Sequence, residues 1–395
     1  MAQDVIHARE PAKASLLYDP KVRSIVFQVV LIGLLALGIW WIVGNTLENL
    51  QRSNIRTGFD FLRGRAGFDI SDMLIQYSSD STYGRAILVG LFNTALVAVC
   101  GIITATILGF LIGVGRLSRN WLIRKLATVY VELFRNIPPL LVIFFLYLGV
   151  LSLLPLPRDS FNLPFGSYLN SRGFYFPRFV WGDGAWLGLV GLLLGIVLSW
   201  FVANRARARQ MATGQQFPVF WTSVALIIGM PLLGLAAAGF PVTVDFPKPG
   251  NFNMTGGFNL KPEFLSLYLA LSLYTASFIA EIVRAGIMGV PRGQTEAFSA
   301  LGLRPGTGLR LVIIPQALRI IVPPLTSQYL NLTKNSSLAV AIGYPDLYAI
   351  GGTILNQTGQ AIEIVAIFGI IYLGLSLFTS LFMNWFNGKM ALKER

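Results

Sequence analysis

The sequence is poor in the residues that build metal and redox sites. It has one cysteine, Cys100, and one histidine, His7, in 395 residues. A single cysteine has no intrachain disulfide partner, and Cys100 lies in a long apolar segment, where we expect it to act as a small apolar side chain. Without a Cys/His cluster, a zinc or haem site is not expected. We therefore predict that the chain binds no metal and no redox cofactor.

Charged residues are scarce as well. They make up 12% of the chain, against 54% hydrophobic residues, and the mean hydropathy is +0.64. A soluble domain of this composition would have too little polar surface. The sequence instead predicts an all-α, polytopic membrane protein with about eight transmembrane helices. The predicted spans are Ile25 to Val43, Ala86 to Gly113, Pro138 to Leu154, Trp186 to Val202, Phe220 to Phe240, Phe264 to Arg284, Ile320 to Val340 and Ile362 to Phe386.

The chain also lacks a nucleotide-binding phosphate loop. Gly388-Lys389 is followed by Met390 and has no upstream glycine at the required spacing. The chain is therefore not expected to hydrolyse ATP itself. The pI near 10 comes from dispersed juxtamembrane residues without interleaved aromatic residues, so no nucleic-acid partner is predicted.

The basic residues are distributed unevenly between alternate loops. Five segments that alternation assigns to one side carry the whole net charge of +13, and the charges of the other side cancel. Such an excess of Lys and Arg marks the cytoplasmic side. Both chain termini and the loop Pro291 to Pro315 are therefore predicted to be cytoplasmic.

This loop, PRGQTEAFSALGLRPGTGLRLVIIP, has a distinctive pattern. Pro291 ends the preceding span, Gln294 to Leu301 can form a short helix, and Gly302 can cap it in the left-handed conformation. We expect the apolar side chains of the helix, which include Ala297 and Phe298, to dock on a cytoplasmic partner, because a loop this short cannot bury them itself.

The order Glu296-Ala297, Gly302, Val312, Ile314 and Pro315 resembles the EAA loop of ABC-importer permeases. That family uses the loop as a coupling helix, and Phe298 stands where the pattern has a second alanine. The resemblance implies that ATPase coupling involves Glu296, Ala297, Phe298, Gly302, Arg304 and Pro315.

Other segments resemble the polar amino-acid branch of these permeases. They are VELFRNIPPLLVIFFLY, AEIVRAGIMGVPRGQTEAFSALGL, IIPQALRIIVPPL and LTKNSSLAVAIG. Residues 86–154 and 264–390 carry the resemblance best, and the extensions are similar to those of the larger permease subunit of general L-amino acid systems. The implied divisions are a tail (1–24), a first span with a periplasmic segment (25–85), two core parts (86–154 and 264–390), an insertion with two extra spans (155–263) and a tail (391–395).

The resemblance implies a type I ABC importer in the bacterial inner membrane. The chain would provide half of the pathway and would need a homologous second permease subunit or a second copy of itself. Its other partners would be a dimer of cytoplasmic ABC ATPases, which would bind ATP and Mg, and a periplasmic amino-acid-binding protein. An L-amino acid would be the substrate, and the lipid bilayer would surround the spans.

Two predicted spans carry polar stripes. Tyr274, Ser277 and Glu281 share one helical face, and Gln328, Asn331 and Asn335 share another, with Lys334 and Ser336 nearby. Polar side chains at membrane depth avoid lipid, so these residues are candidates for the substrate pathway. Hydrogen bonding between helices is the alternative role.

Two acid-base pairs and two proline pairs lie close to these segments. Glu132 with Arg135, and Glu281 with Arg284, are each three residues apart and are expected to form ion pairs. Pro138-Pro139 and Pro323-Pro324 are expected to break or kink their helices.

Three other classes of protein would have different sequence requirements. An ion-driven secondary transporter would work alone and would need titrating acids in the membrane. A membrane enzyme acting on lipid-linked substrates would need an acid cluster or a metal site at an interface, and the sequence offers none. A structural scaffold would not need polar stripes.

Overall fold

The computed structural model describes residues 20–52, 58–250 and 253–390, and it is predominantly helical. The α-helices of these ranges are α1 (Pro20–Arg52), α2 (Tyr83–Gly115), α3 (Trp121–Asn136), α4 (Pro139–Phe144), α5 (Trp186–Thr213), α6 (Val219–Ala237), α7 (Pro262–Met288), α8 (Arg292–Ala300), α9 (Pro305–Gly308), α10 (Ile314–Asn335), α11 (Leu347–Thr358) and α12 (Ala361–Met390). The predicted terminal tails fall largely (1–24) or wholly (391–395) outside the described residues.

The described ranges contain seven helices that are long and apolar enough to cross a membrane. The number rises to eight if a pair of helical segments joined at a sharp bend, Trp121–Asn136 and Pro139–Leu153, counts as one span. The bent pair contains the predicted third span, which is not a single straight helix. After α4, the chain continues through a π-helical segment at Phe145–Val150 and a 3-10 turn at Leu151–Leu153. These segments meet α3 at an angle of 111°. The membrane character of the chain is therefore confirmed, but the third segment differs from a simple crossing.

Helix α3 was not predicted, because its residues lie between the second and third predicted spans, where basic residues indicated a loop. Its first turn is capped by Asn120, whose Oδ1 accepts hydrogen bonds from the backbone N–H groups of Leu122 and Ile123. Tyr130 holds α3 against α7, since its hydroxyl donates to the carbonyl of Leu273 at 2.6 Å. Pro138 then has an extended backbone conformation between α3 and α4, which is the break expected at the first proline pair.

The second proline pair behaves differently. Pro323 and Pro324 lie inside α10, which continues through them, so of the predicted break or kink the break does not occur. Val322 and Leu325 on either side are buried. Packing on both sides of the prolines thus keeps the chain helical despite the lost backbone hydrogen bonds. The predicted seventh span, Ile320 to Val340, lies within a longer candidate span, Pro305–Ile342, in which α10 ends at Asn335 and a 3-10 segment, Ser336–Ile342, follows.

The centre of the core is the contact between α2 and α7. Gly109 and Gly113 of α2 face Ile279 and Val283 of α7 so closely that a Cβ at either glycine would overlap α7 atoms. Both residues of α7 are fully buried. The small residues therefore allow the two backbones to approach, as is common in membrane helix pairs.

A polar clamp joins α2 to the chain segment before α11. The Asn93 side-chain amide donates to the carbonyls of Asp72 (2.8 Å) and Pro345 (2.9 Å), and the Thr94 hydroxyl accepts from the backbone N–H of Leu347 (3.0 Å). Both side chains are buried. The clamp satisfies backbone groups that would otherwise be buried without partners.

The insertion between the two core parts contains short strands as well as the two predicted helices. The strands are β1 (Phe161–Leu163), β2 (Ser167–Asn170), β3 (Gly173–Phe176), β4 (Arg178–Trp181), β5 (Val242–Asp245), β6 (Lys248–Pro249), β7 (Met254–Thr255) and β8 (Phe258–Leu260). They form an antiparallel sheet of order β1-β2-β3-β8 and the antiparallel pairs β4-β5 and β6-β7. Strand β8 leads directly into α7, so both α5 and α7 begin at the strands and run away from them. We call this side the strand end and the opposite side the loop end.

Helices α5 and α6 form a hairpin that packs mainly on itself. A Cβ at Gly191, Gly195 or Gly234 would overlap backbone atoms of the facing helix. The remaining apolar surface of the hairpin is largely exposed, and the apolar window of α6 is not buried at all. In a membrane this surface faces lipid or a partner subunit.

Candidate functional site

The loop Pro291 to Pro315 lies at the loop end and contains the short helix that the sequence predicts. Helix α8 is followed by Gly302 with φ +68°, which is the predicted left-handed cap. The backbone N–H of Leu303 reaches the carbonyl of Phe298 at 3.2 Å, and that of Gly302 reaches Ser299 at 3.0 Å. These bonds close the helix end, as expected for a glycine at this position.

Phe298 does not have the predicted exposed position. It is the only buried residue of α8, at 8% exposure, and its ring lies against Gly308 of α9. The expectation that a loop this short could not bury its own apolar residues is therefore wrong for Phe298. The reason is that Gly308 has no side chain, which leaves space for an aromatic ring within the loop.

The outer face of α8 presents the other predicted coupling residues. Glu296, Ala297, Gly302 and Arg304 are exposed, and Leu301 is exposed to 78%. Glu296 has no hydrogen-bond or ion-pair partner in residues 20–52, 58–250 and 253–390. The loop thus presents a charged and apolar outer surface, which includes Glu296 and Arg304, while Phe298 fixes its inner side.

Two contacts attach the loop to the transmembrane helices. Pro315 is half-buried in the first turn of α10 and is therefore part of the attachment rather than of the outer surface. The Gln316 side chain donates to the Gln294 side-chain oxygen at 3.1 Å and so joins α10 to α8. A displacement of α8 would act directly on the first turn of α10.

We predict that Gly308→Val loosens α8. The valine side chain would overlap the Phe298 ring, and overpacking of this kind costs about 1–3 kcal/mol. Limited proteolysis of the purified protein should cut the loop at least several times faster than in the wild type. Gly306→Val is the control, because a Cβ at Gly306 meets no atom within 4 Å. Equal cleavage of the two variants would contradict the packing role of Gly308.

A cluster of charges joins α2, α3 and α7 at the loop end. Arg284 contacts Glu281 at 2.6 Å, which confirms the predicted pair, and Arg116 also hydrogen-bonds Glu281. The predicted pair of Glu132 with Arg135 is wrong. Glu132 lies 3.7 Å from Arg116, whereas the guanidinium of Arg135 lies over the Phe278 ring.

Arg116 is the member of this cluster that the sequence argument missed. Its side chain is only 11% exposed, and it contacts residues 16 and 165 positions away. A local spacing rule finds partners three or four residues away on one helix. The only available signal was an arginine at the end of an apolar span, which is common in membrane proteins.

The predicted residues of the α7 stripe have contacts with other protein groups. Ser277 is fully buried and its hydroxyl donates to the carbonyl of Tyr274 in its own helix at 2.6 Å. The Tyr274 ring packs 5.0 Å from that of Phe278, and Glu281 belongs to the charge cluster. The contact of Glu281 with Arg116 fits the alternative role of joining helices, whereas the Ser277 hydrogen bond lies within α7.

The α10 residues are divided between two environments. Asn331 and Lys334 are exposed, Gln328 and Asn335 are half-buried, and Ser336 is buried with its hydroxyl donating to the carbonyl of Thr333 at 2.7 Å. Pro323, Pro324 and Ser327 continue the exposed side along α10. We refer to Ser327, Asn331 and Lys334 as the α10 polar stripe.

Two hydrogen bonds between membrane helices were not predicted. Thr104 and Tyr268 share one at 2.6 Å, and Thr106 and Tyr329 share one at 2.9 Å. They join α2 to α7 and to α10, and their residues are partly buried. Among the described residues, no group of three or more His, Cys, Asp or Glu side chains is placed to hold a metal ion.

Comparison with known proteins agrees with this architecture. The family described as "Binding-protein-dependent transport system inner membrane component" matches residues 188–392, which include the loop and the α10 polar stripe. The general L-amino acid transport system permease protein AapQ of Rhizobium johnstonii is 65% identical over 381 residues, covering 96% of this chain and 95% of that protein.

Two further relatives are similar over nearly their whole lengths. The putative amino-acid ABC transporter permease protein YhdX of Escherichia coli is 48% identical over 98% of this chain and all of that protein. The glutamate/glutamine/aspartate/asparagine transport system permease protein BztB of Rhodobacter capsulatus is 43% identical, covering 98% of this chain and 99% of that protein. The chain therefore belongs to the family of binding-protein-dependent transport system inner membrane components, the permease subunits of ABC transporters.

Proposed function

We propose that this chain is a permease subunit of an ATP-driven importer of L-amino acids. It would form half of the translocation pathway, and a separate ATPase dimer would bind ATP and Mg and hydrolyse ATP. A periplasmic binding protein would deliver the amino acid. The printed names of three relatives support this class of substrate, since each names amino acids or a set of them.

The observation that carries the proposal is the geometry of the loop Pro291 to Pro315. Its helix α8 is held from the inside by Phe298, is attached to α10 through Gln294 and Gln316, and exposes Glu296 and Leu301. A surface that is rigidly attached to a membrane helix can transmit movement of a docked partner to that helix. The described residues offer no partner for Glu296, so we assign the exposed surface to the ATPase.

The α10 polar stripe supports the need for a second permease subunit. Asn331 and Lys334 are exposed on this chain although they lie in a membrane-spanning segment. Polar and charged side chains at this depth face protein or a watery cavity, because exposure to lipid is costly. A homologous subunit or a second copy would cover the stripe and complete a polar pathway.

The distribution of charge supports an orientation with both termini in the cytoplasm. The loop Pro291 to Pro315 and Arg205 to Arg209 both lie at the loop end, which is the basic side. The strands would then be periplasmic, where a binding protein docks. In bacteria this arrangement corresponds to the inner membrane. An ion-driven secondary transporter has no support, because the relatives are components of ABC or other binding-protein-dependent systems.

The proposal can be tested by purifying the complex through a tag on this chain. We expect a second permease subunit or a second copy, together with an ATPase, to co-purify. Reconstituted with the binding protein, the complex should show ATPase activity that individual L-amino acids stimulate. Uptake by the chain alone, without any ATPase, would exclude the proposal.

We predict that Asn331→Leu impairs transport while leaving the ATPase bound. The change removes a donor and an acceptor from the α10 polar stripe, and the loss of a polar contact in a pathway costs about 1–3 kcal/mol, roughly 5- to 150-fold in binding. The measurement is uptake of a series of amino acids into proteoliposomes. Ile320→Leu, on the same exposed side of α10, is the control. Unchanged uptake and selectivity in Asn331→Leu would instead assign the residue to helix packing.

A further inference from the structure

The α5–α6 hairpin contains a groove at its loop end, apart from the loop Pro291 to Pro315 and the α10 polar stripe. The groove has a volume of about 630 Å³. Its apolar wall is formed by Leu198, Phe201 and Val202 of α5 and by Phe217, which lies just before α6. Arg205 and Arg209 line the same groove, since positions 198, 201, 202, 205 and 209 fall on one face of a helix.

The two arginines have unused hydrogen-bonding capacity. One Nη of Arg209 donates to the Gln215 side-chain oxygen at 2.8 Å, which fixes the returning loop against α5. Arg205 makes no hydrogen bond or ion pair within the described ranges. Each guanidinium carries five N–H donors in a fork that matches a phosphate group.

No carboxylate of the hairpin can neutralise these arginines. Residues 184–244 contain three charged residues, Arg205, Arg207 and Arg209, and no acidic residue. The flanking acids, Asp183 and Asp245, lie at the strand end, about 30 Å or more away along α5 at 1.5 Å per residue. An anion that pairs with these arginines must therefore come from outside the hairpin.

The depth of the groove matches that of lipid headgroups. Arg205 lies 19 residues after Trp186, roughly 28 Å along α5, which is close to the thickness of the hydrocarbon layer. Aromatic side chains, which favour the membrane interface, surround this end at Trp200, Phe220 and Trp221. The apolar wall thus lies at acyl-chain depth and the guanidinium groups at phosphate depth.

We propose that this groove binds an anionic phospholipid of the cytoplasmic leaflet. Arg205 and Arg209 bind the headgroup phosphate, and Phe201 and Phe217 pack against the first part of an acyl chain. Basic pockets on transmembrane helices on the cytoplasmic side recognise lipid headgroups in this way. A free phosphate would not use the apolar wall, and a soluble acidic protein surface would not reach it.

The test uses the complete complex, purified through a tag on this chain and partly delipidated. Native mass spectrometry would measure binding of phosphatidylglycerol against phosphatidylcholine. We expect wild type to prefer phosphatidylglycerol and Arg205→Gln/Arg209→Gln to bind it about 25-fold more weakly, from a factor of roughly five per arginine. Arg207→Gln is the matched control, since it removes the same charge from the same helix but does not line the groove.

Further variants separate the possible outcomes. Arg205→Lys/Arg209→Lys keeps the charge and should retain part of the preference, which also checks that the hairpin folds. Phe201→Ala should weaken phosphatidylglycerol binding. Displacement of the lipid by inorganic phosphate would overturn the proposal in favour of a phosphate site. If Arg207→Gln loses as much phosphatidylglycerol binding as the double Gln variant, the lipid is held by diffuse surface charge and the proposal is overturned. Release of the ATPase by the double Gln variant would show that the arginines contact a protein, which would also overturn the proposal.

Discussion

Glu296→Lys should leave the complex able to hydrolyse ATP but should lower amino-acid uptake about tenfold. The expectation follows from the position of Glu296 on α8, where it is exposed and has no ion-pair partner among the described residues, so that reversal of its charge would alter the contact with the ATPase. A coupling free energy between two sites is typically 1–3 kcal/mol, so one such change can remove most of it. The measurement is the ratio of uptake to ATP hydrolysis in proteoliposomes with the binding protein present.

Gly302→Val tests the same coupling through the backbone. Gly302 has φ +68°, a conformation that costs a β-branched residue about 1–2 kcal/mol, so α8 should lose its C-terminal cap and its orientation. Gly293→Ala is the control, because Gly293 is an exposed residue of α8 with ordinary φ and open space around it. We expect normal coupling in Gly293→Ala. Normal coupling in both Glu296→Lys and Gly302→Val would show that this loop does not transmit the ATPase movement.

Arg116→Leu should destabilise the protein, because Arg116 is the most buried member of the charge cluster. Removal of one partner from a buried ion pair leaves the other charge uncompensated, at a cost of about 3–5 kcal/mol. Here the value should fall near the lower end, since Glu281 is partly exposed and retains Arg284. The measurement is the midpoint of thermal unfolding in detergent or nanodiscs, together with uptake.

Two controls make this result specific to the cluster. The double variant Arg116→Leu/Glu281→Leu should lose less stability than the sum of the two single variants, because either single change already breaks the Arg116–Glu281 pair. Arg65→Leu removes one member of an exposed ion pair with Asp80 and should have no measurable effect. If Arg116→Leu unfolds at the same temperature as Arg65→Leu, the three helices are held together without the cluster.

The sequence and the structure agree best where the signal is local. The Pro291 to Gly302 segment contains a helix stop, a short helix and a left-handed glycine, and each depends on residues within one or two turns. Helix α3 carried a local signal too, namely Asn120 as an N-cap before an amphipathic segment, but the basic residues led to a loop assignment. The strands of the insertion are short, and β3 pairs with β8, which is more than 80 residues away.

In the candidate site, too, some positions follow from the local sequence and others depend on distant contacts. The exposure of Glu296 follows from a polar position on a short helix, whereas the burial of Phe298 depends on Gly308, ten residues further along. Glu132 is turned away from Arg135 by Arg116 on another helix. The buried positions of Ser277 and Ser336 likewise result from the packing of whole helices, because periodicity assigns a residue to a face but does not tell which neighbour covers that face.

The sequence by itself determined that this protein is a helical membrane permease without its own phosphate loop. Hydropathy, the distribution of charge and the EAA-like loop are properties of single segments, so they can be read without knowing which segments meet. The tertiary structure alone decided that Phe298 anchors the loop from within, that Arg116 joins three helices, and that the α5–α6 hairpin forms an arginine-lined groove. Each of these features depends on contacts between distant parts of the chain, which only packing brings together.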